Sequence, residues 1–194
     1  MVLAAGASRR LGRPKQSLEI GGETLLERAV RVAVEARLEP VIVVVRDPGV
    51  ASVLGGCEVV VRDTGVARGL RGCEIVSNAL ADEGMASSIR VGVARAQELG
   101  VVGVVVMACD QVALRTEHLR ALCGEVDRIT GSGYAGKVGI PAYFPAEKFG
   151  DLMELQGDVG ARELLRGAVA VVDEGLGLDV DTEADVDRAV RMLG

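Results

Sequence analysis

The stretch GVVVMA, residues 103–108, carries no polar side chain, and Cys109 and Asp110 follow it directly. A strand that is apolar on both faces is typical of a parallel sheet covered by helices on both sides. Ligands of such sheets bind beyond the carboxyl ends of the strands. The stretch therefore predicts an α/β fold with a functional edge at Asp110.

Short apolar runs and helical patterns alternate along the rest of the chain, as in βαβ units. The predicted strands cover 40–45, 58–61, 103–108 and 168–172, and the predicted helices cover 23–36, 87–99, 116–125 and 183–192. The chain has 194 residues, of which 49% are hydrophobic. These values fit one three-layer α/β/α domain over 1–194, with a Rossmann-like, mostly parallel sheet.

Composition and charge exclude several classes of partner. The chain has 22 basic and 28 acidic residues, four aromatic residues and no Trp. It therefore lacks the basic surface and the stacking side chains of nucleic-acid binders. No apolar run reaches the ~18 residues of a membrane span, and the start of the sequence does not resemble a signal peptide. We expect a cytoplasmic protein that binds neither nucleic acid nor membrane.

The cysteines and the single histidine do not suggest chemistry. The chain has Cys57, Cys73, Cys109 and Cys123, without a CxxC pair. With only His118 beside them, they do not form a zinc site of the usual spacing. We expect reduced, mostly buried thiols, and we interpret His118 as a solvated helix residue.

One internal duplication interrupts the pattern. The sequence VVVRDPGVASVLGGCEVV, residues 43–60, recurs 16 positions later as VVVRDTGVARGLRGCEIV, residues 59–76. Two short copies are too few for a solenoid. We predict that the duplication lies at an edge of the sheet or in a loop beside it, remote from the chemistry.

The strongest functional motif is LAAGASRRLGRPK, residues 3–15. A short apolar run leads into small residues whose backbone N–H groups can approach an anion, and cations follow it. The motif predicts a phosphate cradle, although it matches neither a Walker loop nor GxGxxG. A second stretch, GSGYAGK at 131–137, matches GxGxxG by spacing, but Pro141 follows it instead of a helix. We therefore do not interpret it as a nucleotide loop.

The carboxylate of Asp110 requires a cation, because an unpaired charge at a buried strand end is costly. Magnesium binds one or two carboxylates together with phosphate oxygens. Asp181, or alternatively Asp179, lies near the last predicted helix and could supply the second carboxylate, although Asp181 could instead be a helix cap. The residues alone do not decide which of these aspartates would bind the metal ion together with Asp110.

The order of the motifs resembles the family of molybdenum cofactor cytidylyltransferases and, more distantly, guanylyltransferases. The blocks that carry this resemblance are LAAGASRRLGRPK at 3–15, GMASSI at 84–89, MACDQ at 107–111, YAGKVGIPAYF at 134–144, GDVGAR at 157–162 and DVDT at 179–182. The resemblance implies the nucleotide-diphospho-sugar transferase type of fold. It also implies transfer of CMP from CTP to a molybdopterin-type acceptor, with release of pyrophosphate.

The resemblance also assigns roles to particular residues. It implies Arg10, Lys15 and Asp110 as catalytic residues and Mg²⁺ on Asp110 and Asp181. The nucleotide-binding residues that it implies are Leu3, Ala4, Ala5, Gly6, Ser8, Arg10, Lys15, Ser88 and Asp110. The acceptor-binding residues are Gly139, Pro141, Asp158 and Arg162, although Asp158 could instead cap a helix. A molybdoenzyme or its chaperone is a further partner that the resemblance implies.

Three other functions remain open from the sequence. The first is guanylyl transfer from GTP to the same acceptor, and Ala5 argues against it because the guanylyl branch carries Gly there. The second is cytidylyl or uridylyl transfer to a sugar or alcohol phosphate, which would not need GDVGAR. The third is a regulator that binds nucleotide without turnover. A regulator has no need of Lys15, Asp110 and Asp181 together.

Overall fold

Strands and helices alternate in the computed structural model, which describes residues 1–53, 59–62, 73–158 and 160–193. The strands are β1 (Val2–Ala4), β2 (Glu19–Ile20), β3 (Glu23–Thr24), β4 (Val41–Val45), β5 (Val59–Arg62), β6 (Cys73–Ser77), β7 (Gly103–Ala108), β8 (Thr130–Tyr134), β9 (Lys137–Pro145) and β10 (Val169–Val172). The helices are α1 (Leu25–Glu35), α2 (Met85–Glu98), α3 (Thr116–Leu122), α4 (Phe149–Met153) and α5 (Glu183–Leu193). All eight predicted elements are present, with shifts of up to three residues at their ends.

The start of the first helix was predicted two residues too early. Glu23 and Thr24 form β3, which pairs with β2, and helix α1 begins at Leu25. The Thr24 hydroxyl accepts a hydrogen bond from the Glu27 N–H, and the Glu27 carboxylate accepts one from the Thr24 N–H. This capping box fixes the helix start, because it satisfies two backbone donors at once.

Eight of the described strands form one sheet in the order β10-β8-β9-β7-β1-β4-β6-β5. Strands β7, β1, β4, β6 and β5 run parallel to one another, and β10 runs parallel to β8. Strand β9 is antiparallel to both β7 and β8. The prediction of a mostly parallel α/β sheet is thus confirmed.

Alternate residues of the central strands face two separate apolar layers. On β4, Val41, Val43 and Val45 pack with α1 and α3. Ile42 and Val44 pack with α2 and α4 on the opposite face. A third apolar cluster joins α5 to the β2–β3 hairpin. Burial on both faces explains why these strands carry no polar side chains.

The parallel strands β1, β4 and β7 end at the same edge of the sheet. Strand β1 leads there into the loop after Ala4, β4 into Arg46, and β7 into Cys109 and Asp110. The main chain is thus positioned to bring the phosphate-cradle motif beside Asp110, as expected for the ligand-binding edge of an open parallel sheet.

The described part of the duplication supplies the β5 end of the sheet. Strand β6 is paired with β4 on one side and with β5 on the other, and β5 is outermost. Residues 54–58 and 63–72 of the two copies lie outside the described residues. The position of β5 agrees with the prediction that the duplication extends an edge of the sheet.

The GSGYAGK stretch forms the β8–β9 hairpin rather than a nucleotide loop. Ala135 and Gly136 occupy its turn with φ values of 48° and 69°. Two successive positive φ angles are typical of a two-residue hairpin turn, and glycine adopts them without strain. The decision to set this GxGxxG match aside is therefore confirmed.

The thiols follow the sequence-based prediction, whereas the histidine does not. Cys73 and Cys109 are buried and Cys123 is half-buried, whereas Cys57 lies outside the described residues. Burial raises the pKa of the Cys109 thiol to about 12. His118 is only 5% exposed, so its interpretation as a solvated residue was wrong. It lies on the buried side of α3, where its Nε2 is 2.7 Å from the Ser132 hydroxyl.

Within the described ranges, no helix is both long and apolar enough to cross a membrane.

Candidate active site

A cleft of about 490 Å³ opens at the carboxyl edge of β1 and β7. Every residue that the sequence analysis assigned to nucleotide binding lines it. These residues are Leu3, Ala4, Ala5, Gly6, Ser8, Arg10, Lys15, Ser88 and Asp110. The cleft also contains Asp158 and Asp181. These side chains therefore converge at the edge of the sheet beyond residues 103–108, as the sequence predicted.

The loop after β1 has the backbone form expected of an anion cradle. Ser8 has a φ of 48°, and its carbonyl accepts hydrogen bonds from the N–H groups of Leu11 and Gly12. A left-handed residue in such a turn can direct successive N–H groups toward one concave side. The Ser8 hydroxyl accepts a hydrogen bond from the Lys15 N–H at 3.0 Å. This bond joins the middle of the cradle motif to its last residue.

The ammonium of Lys15 lies between two carboxylates at the floor of the cleft. Its Nζ donates to Asp110 Oδ2 at 2.8 Å and also to Asp181 Oδ1. The Lys15 and Asp110 side chains are only 16% and 17% exposed. Ion pairs that are shielded from water in this way interact more strongly than surface pairs.

Asp181 belongs to this cluster and does not cap helix α5. The Thr182 hydroxyl accepts from the Asp185 N–H, and the Asp185 carboxylate accepts from the N–H groups of Asp181 and Thr182. Thr182 and Asp185 thus perform the capping. The Asp181 carboxylate is left to bind Lys15 and, through Oδ2 at 3.0 Å, Arg10.

The charges of the cluster shift two pKa values. Burial lowers the pKa of Lys15, but the attraction of Asp110 and Asp181 outweighs it and raises that pKa overall. The pKa of Asp179 is raised to about 6, first by desolvation of its carboxyl and then by the negative charges of Asp110 and Asp181. Lys15 is therefore a cation at neutral pH. The three carboxylates of Asp110, Asp179 and Asp181 together favour the binding of a further positive charge.

Helix α2 begins at the wall of the cleft. Asn78, which is 1% exposed, donates to the hydroxyls of Ser87 at 2.9 Å and Ser88 at 3.0 Å. Its Oδ1 accepts from the Leu80 N–H. Since each polar atom of this buried amide has a partner, the turn before α2 is held firmly. Ser88 is thereby positioned on the cleft wall.

Asp158 caps helix α2 from a distant segment. Its Oδ1 accepts a hydrogen bond from the Met85 N–H at 3.2 Å, and the adjacent Gly157 carbonyl accepts from the Ala86 N–H at 3.1 Å. A Cβ at Gly84 would lie 2.6 Å from that carbonyl oxygen. The close approach therefore requires glycine at position 84, where φ is 106°.

The other residues assigned to the acceptor do not line this cleft. Gly139 and Pro141 are on β9, where a Cβ at Gly139 would meet the Tyr134 hydroxyl at 2.7 Å. Arg162 is exposed, and no ion pair involves it within the described ranges. The sequence blocks alone do not show how far the acceptor residues lie from the cradle.

Gln111 connects Asp110 to this acceptor side. It is 6% exposed, and its Nε2 donates to the Ile140 carbonyl at 2.9 Å. The same carbonyl accepts from the Tyr134 hydroxyl. Gln111 also pairs through its backbone with Asp179. Gln111, the residue after Asp110, is thus hydrogen-bonded both to β9 and to the segment that leads to Asp181.

Sequence reasoning missed the part of the cleft lining that lies outside the quoted motifs, namely Gln16, Arg46, Ala81, Asp82 and Glu83. Arg46 matters most, because it follows β4 in the first copy of the duplication and pairs with Asp82 at 2.7 Å. The prediction that the duplication is remote from the site is therefore wrong at Arg46. Its position at the end of a parallel strand could have revealed it.

The site offers a divalent cation two carboxylates. Asp110 and Asp181 already share one cation, the Lys15 ammonium, so their oxygens face a common point. Among the described residues, no group of three Asp, Glu, His or Cys side chains forms a metal site. Two carboxylates completed by phosphate oxygens are a typical Mg²⁺ environment. The donor set fits a metal that binds together with its nucleotide.

The fold and this cleft define an α/β nucleotidyltransferase. The model of the MobA-like NTP transferase domain matches residues 1–173. The chain therefore belongs to the MobA-like NTP transferase family, and the resemblance found in the sequence is confirmed at that level.

Three known proteins are similar to this chain. The purine catabolism protein PucB of Bacillus subtilis is 32% identical over 199 residues, covering 98% of this chain and 95% of PucB. A probable molybdenum cofactor guanylyltransferase of Opitutus terrae is 58% identical over 45 residues, covering 23% of this chain and 22% of that protein. Rv0371c of Mycobacterium tuberculosis, solved in complex with manganese, is 30% identical with a TM-score of 0.73, covering 98% and 96% of the two chains.

Proposed function

We propose that the chain transfers CMP from CTP to the terminal phosphate of a molybdopterin-type cofactor and releases pyrophosphate. One observation carries the proposal: Lys15, Asp110 and Asp181 come from three distant parts of the sequence and meet beside the phosphate cradle. A mere nucleotide binder has no need of two acidic groups next to a phosphate, because they would repel it.

The residues of the cleft suit an in-line displacement at phosphorus. An oxygen of the acceptor phosphate forms a bond to the α-phosphorus of CTP, while the bond from that phosphorus to the bridging oxygen breaks and pyrophosphate takes the electron pair. Backbone N–H groups of Gly6 and Ser8 bind the phosphates. The Arg10 guanidinium binds the leaving pyrophosphate, and Lys15 neutralises charge at the α-phosphate.

Asp110 and Asp181 hold Mg²⁺ in this proposal. When bound, the ion supplies Lewis-acid stabilisation of phosphate charge. The manganese complex of the related Rv0371c supports a divalent cation in this family. Asp179 is the weaker candidate as second ligand, because its carboxylate makes no ion pair with Lys15.

The choice of CTP and of a molybdopterin-type acceptor rests on resemblance. Ala5 in the cradle and the GDVGAR block at 157–162 favour the cytidylyl branch. Arg162, exposed and without an ion-pair partner in the described ranges, is suited to an anionic acceptor. A molybdoenzyme or its chaperone would receive the product.

Guanylyl transfer to the same acceptor is the second candidate. The observation that favours it is the 58% identity over 45 residues with a probable molybdenum cofactor guanylyltransferase. Both candidates use the same cradle and carboxylates, so only the nucleotide distinguishes them.

A substrate screen tests both candidates. Pyrophosphate release is measured for CTP, GTP, ATP and UTP, each with Mg²⁺ and a molybdopterin-type, sugar-phosphate or alcohol-phosphate acceptor. The Asp110→Asn variant is the blank. CTP with the molybdopterin-type acceptor is expected to give the highest kcat/KM. Preference for GTP would replace the first candidate by the second, and preference for a sugar or alcohol phosphate would contradict both.

A further inference from the structure

Lys15 and a divalent cation compete for the same carboxylate oxygens. The Lys15 Nζ is 2.8 Å from Asp110 Oδ2 and is also hydrogen-bonded to Asp181 Oδ1. A Mg²⁺ ion binds carboxylate oxygens at about 2.0–2.1 Å. An ion on these two oxygens would therefore lie almost where the ammonium is, and the two positive charges would repel each other.

We propose that the Lys15 ammonium occupies the position between Asp110 and Asp181 in the metal-free protein. A divalent cation must then displace it in order to bind the two carboxylates. The proposal rests on the proposed function, in which Asp110 and Asp181 hold the metal and Lys15 meets the α-phosphate. Those two assignments are compatible only if the Lys15 side chain moves between the carboxylates and the nucleotide.

The surroundings of Lys15 allow such a movement. Its backbone N–H is held by the Ser8 hydroxyl at 3.0 Å, so the main chain stays attached to the cradle. Only the flexible four-carbon side chain needs to turn, and the cradle lines the same cleft. In the proposed function, the phosphate that would receive the ammonium binds in this same cleft.

Binding of metal and nucleotide then becomes cooperative. The metal releases Lys15 from Asp110 and Asp181, and a phosphate provides the released ammonium with a new anionic partner. Without nucleotide, displacement leaves a shielded cation without its partners, which is unfavourable. The metal-free, nucleotide-free site is therefore expected to bind divalent cations weakly, with Lys15 as the cause.

Manganese binding without nucleotide tests the proposal. Free Mn²⁺ is measured by electron paramagnetic resonance for the wild type, Lys15→Met and the control Lys148→Met. Lys148 pairs with Asp151 on the surface at 3.0 Å, so its loss removes the same charge at a distant position. Lys15→Met is expected to bind Mn²⁺ about tenfold more tightly or better, because a buried competing charge is lost. Lys148→Met is expected to match the wild type.

Several results would overturn the proposal. They are equal or weaker Mn²⁺ binding by Lys15→Met, an equal gain in Lys148→Met, or no binding by any of the proteins. Adding Asp110→Asn to Lys15→Met is expected to abolish the tight binding, which assigns it to this site. Retention of tight binding in that double variant would contradict the proposal as well.

A second readout follows Lys15 itself. The ammonium hydrogens of a salt-bridged lysine exchange slowly and give a ¹⁵N-correlated NMR signal. Titration with diamagnetic Mg²⁺ is expected to shift or remove the Lys15 signal and to leave the signal of Lys148 unchanged. An unchanged Lys15 signal at saturating Mg²⁺ overturns the proposal. The outcome is separable from that of the proposed function, because neither measurement depends on turnover.

Discussion

The ammonium of Lys15 lies 2.8 Å from Oδ2 of Asp110, across 95 positions of the sequence. The contact joins the last residue of the phosphate cradle to the second residue after strand β7. Two motifs that the sequence presents separately are therefore parts of one site, and the following predictions depend on that site.

Asp110→Asn is expected to slow nucleotidyl transfer by at least about 10²- to 10³-fold, as is usual when a preorganised charged group is lost. The side chain keeps its shape, so the melting temperature should change little. Pyrophosphate release and thermal unfolding check the two statements. Asp127→Asn, at an 80% exposed carboxylate outside the cleft, is the matched control. Full activity of Asp110→Asn would refute its role.

Asp158→Ala distinguishes a structural role from acceptor binding. Loss of the cap on Met85 N–H is expected to destabilise the fold by about 1 kcal/mol, the usual cost of removing an N-cap side chain. Chemical denaturation measures this change. If Asp158 binds the acceptor as well, the KM for the acceptor rises, as it should in Arg162→Gln. Unchanged stability would show that the cap contributes nothing.

Deletion of residues 45–60 is expected to remove the edge strand β5 and to preserve the cleft. The deletion joins Val44 to Val61, so that Arg62 takes the place of Arg46 at the end of β4. The shortened protein should fold and bind CTP, which circular dichroism and calorimetry can check. Arg62→Gln in the shortened chain should then weaken CTP binding as much as Arg46→Gln does in the full chain. A folded deletion variant that does not bind CTP would contradict this.

Asp179 is expected to make the metal-free protein less stable as the pH rises. Its pKa is raised from 3.8 to about 6, so between these values the native state holds a proton that the unfolded state has lost. The free energy of unfolding therefore falls over that interval. Asp179→Asn should stabilise the protein above pH 6 and have no such effect below pH 4. The residue as a whole is exposed, so solvent reduces both the desolvation of the carboxyl and the repulsion by Asp110 and Asp181, and the gain is small.

NMR titration of the wild type and of Asp110→Asn checks the origin of this shift. Loss of the Asp110 charge should lower the pKa of Asp179, because that charge is one of the causes of the shift. An Asp179 carboxyl that titrates near 4 in both proteins would show that the repulsion is absent.

The fold could be predicted because its signals are local. The run at 103–108 requires burial on both faces, and the strands around it place Asp110 at the functional edge. The cradle could be predicted for the same reason, since small residues and cations follow one another within 13 positions. Such patterns depend on backbone geometry and burial rather than on distant partners.

Contacts between distant segments could not be predicted. Asp158 caps a helix that begins 73 residues earlier in the chain, and its own neighbourhood gives no sign of this. His118 is buried because α3 packs against the sheet, where Ser132 of β8 contacts it, although its helix alone suggests a solvated face. The sequence could not decide whether Asp181 caps helix α5 or binds a metal ion, because only the side-chain positions show that Thr182 and Asp185 perform the capping.

Transfer of a labelled α-phosphate tests the central claim most directly. The protein is incubated with [α-³²P]CTP, Mg²⁺ and a molybdopterin-type acceptor, and the products are separated. The account predicts that the label moves to the acceptor in equal amount to the pyrophosphate released, and that Asp110→Asn transfers it at least about 10²- to 10³-fold more slowly. Label that remains in CTP, or that appears only as free CMP, would contradict it.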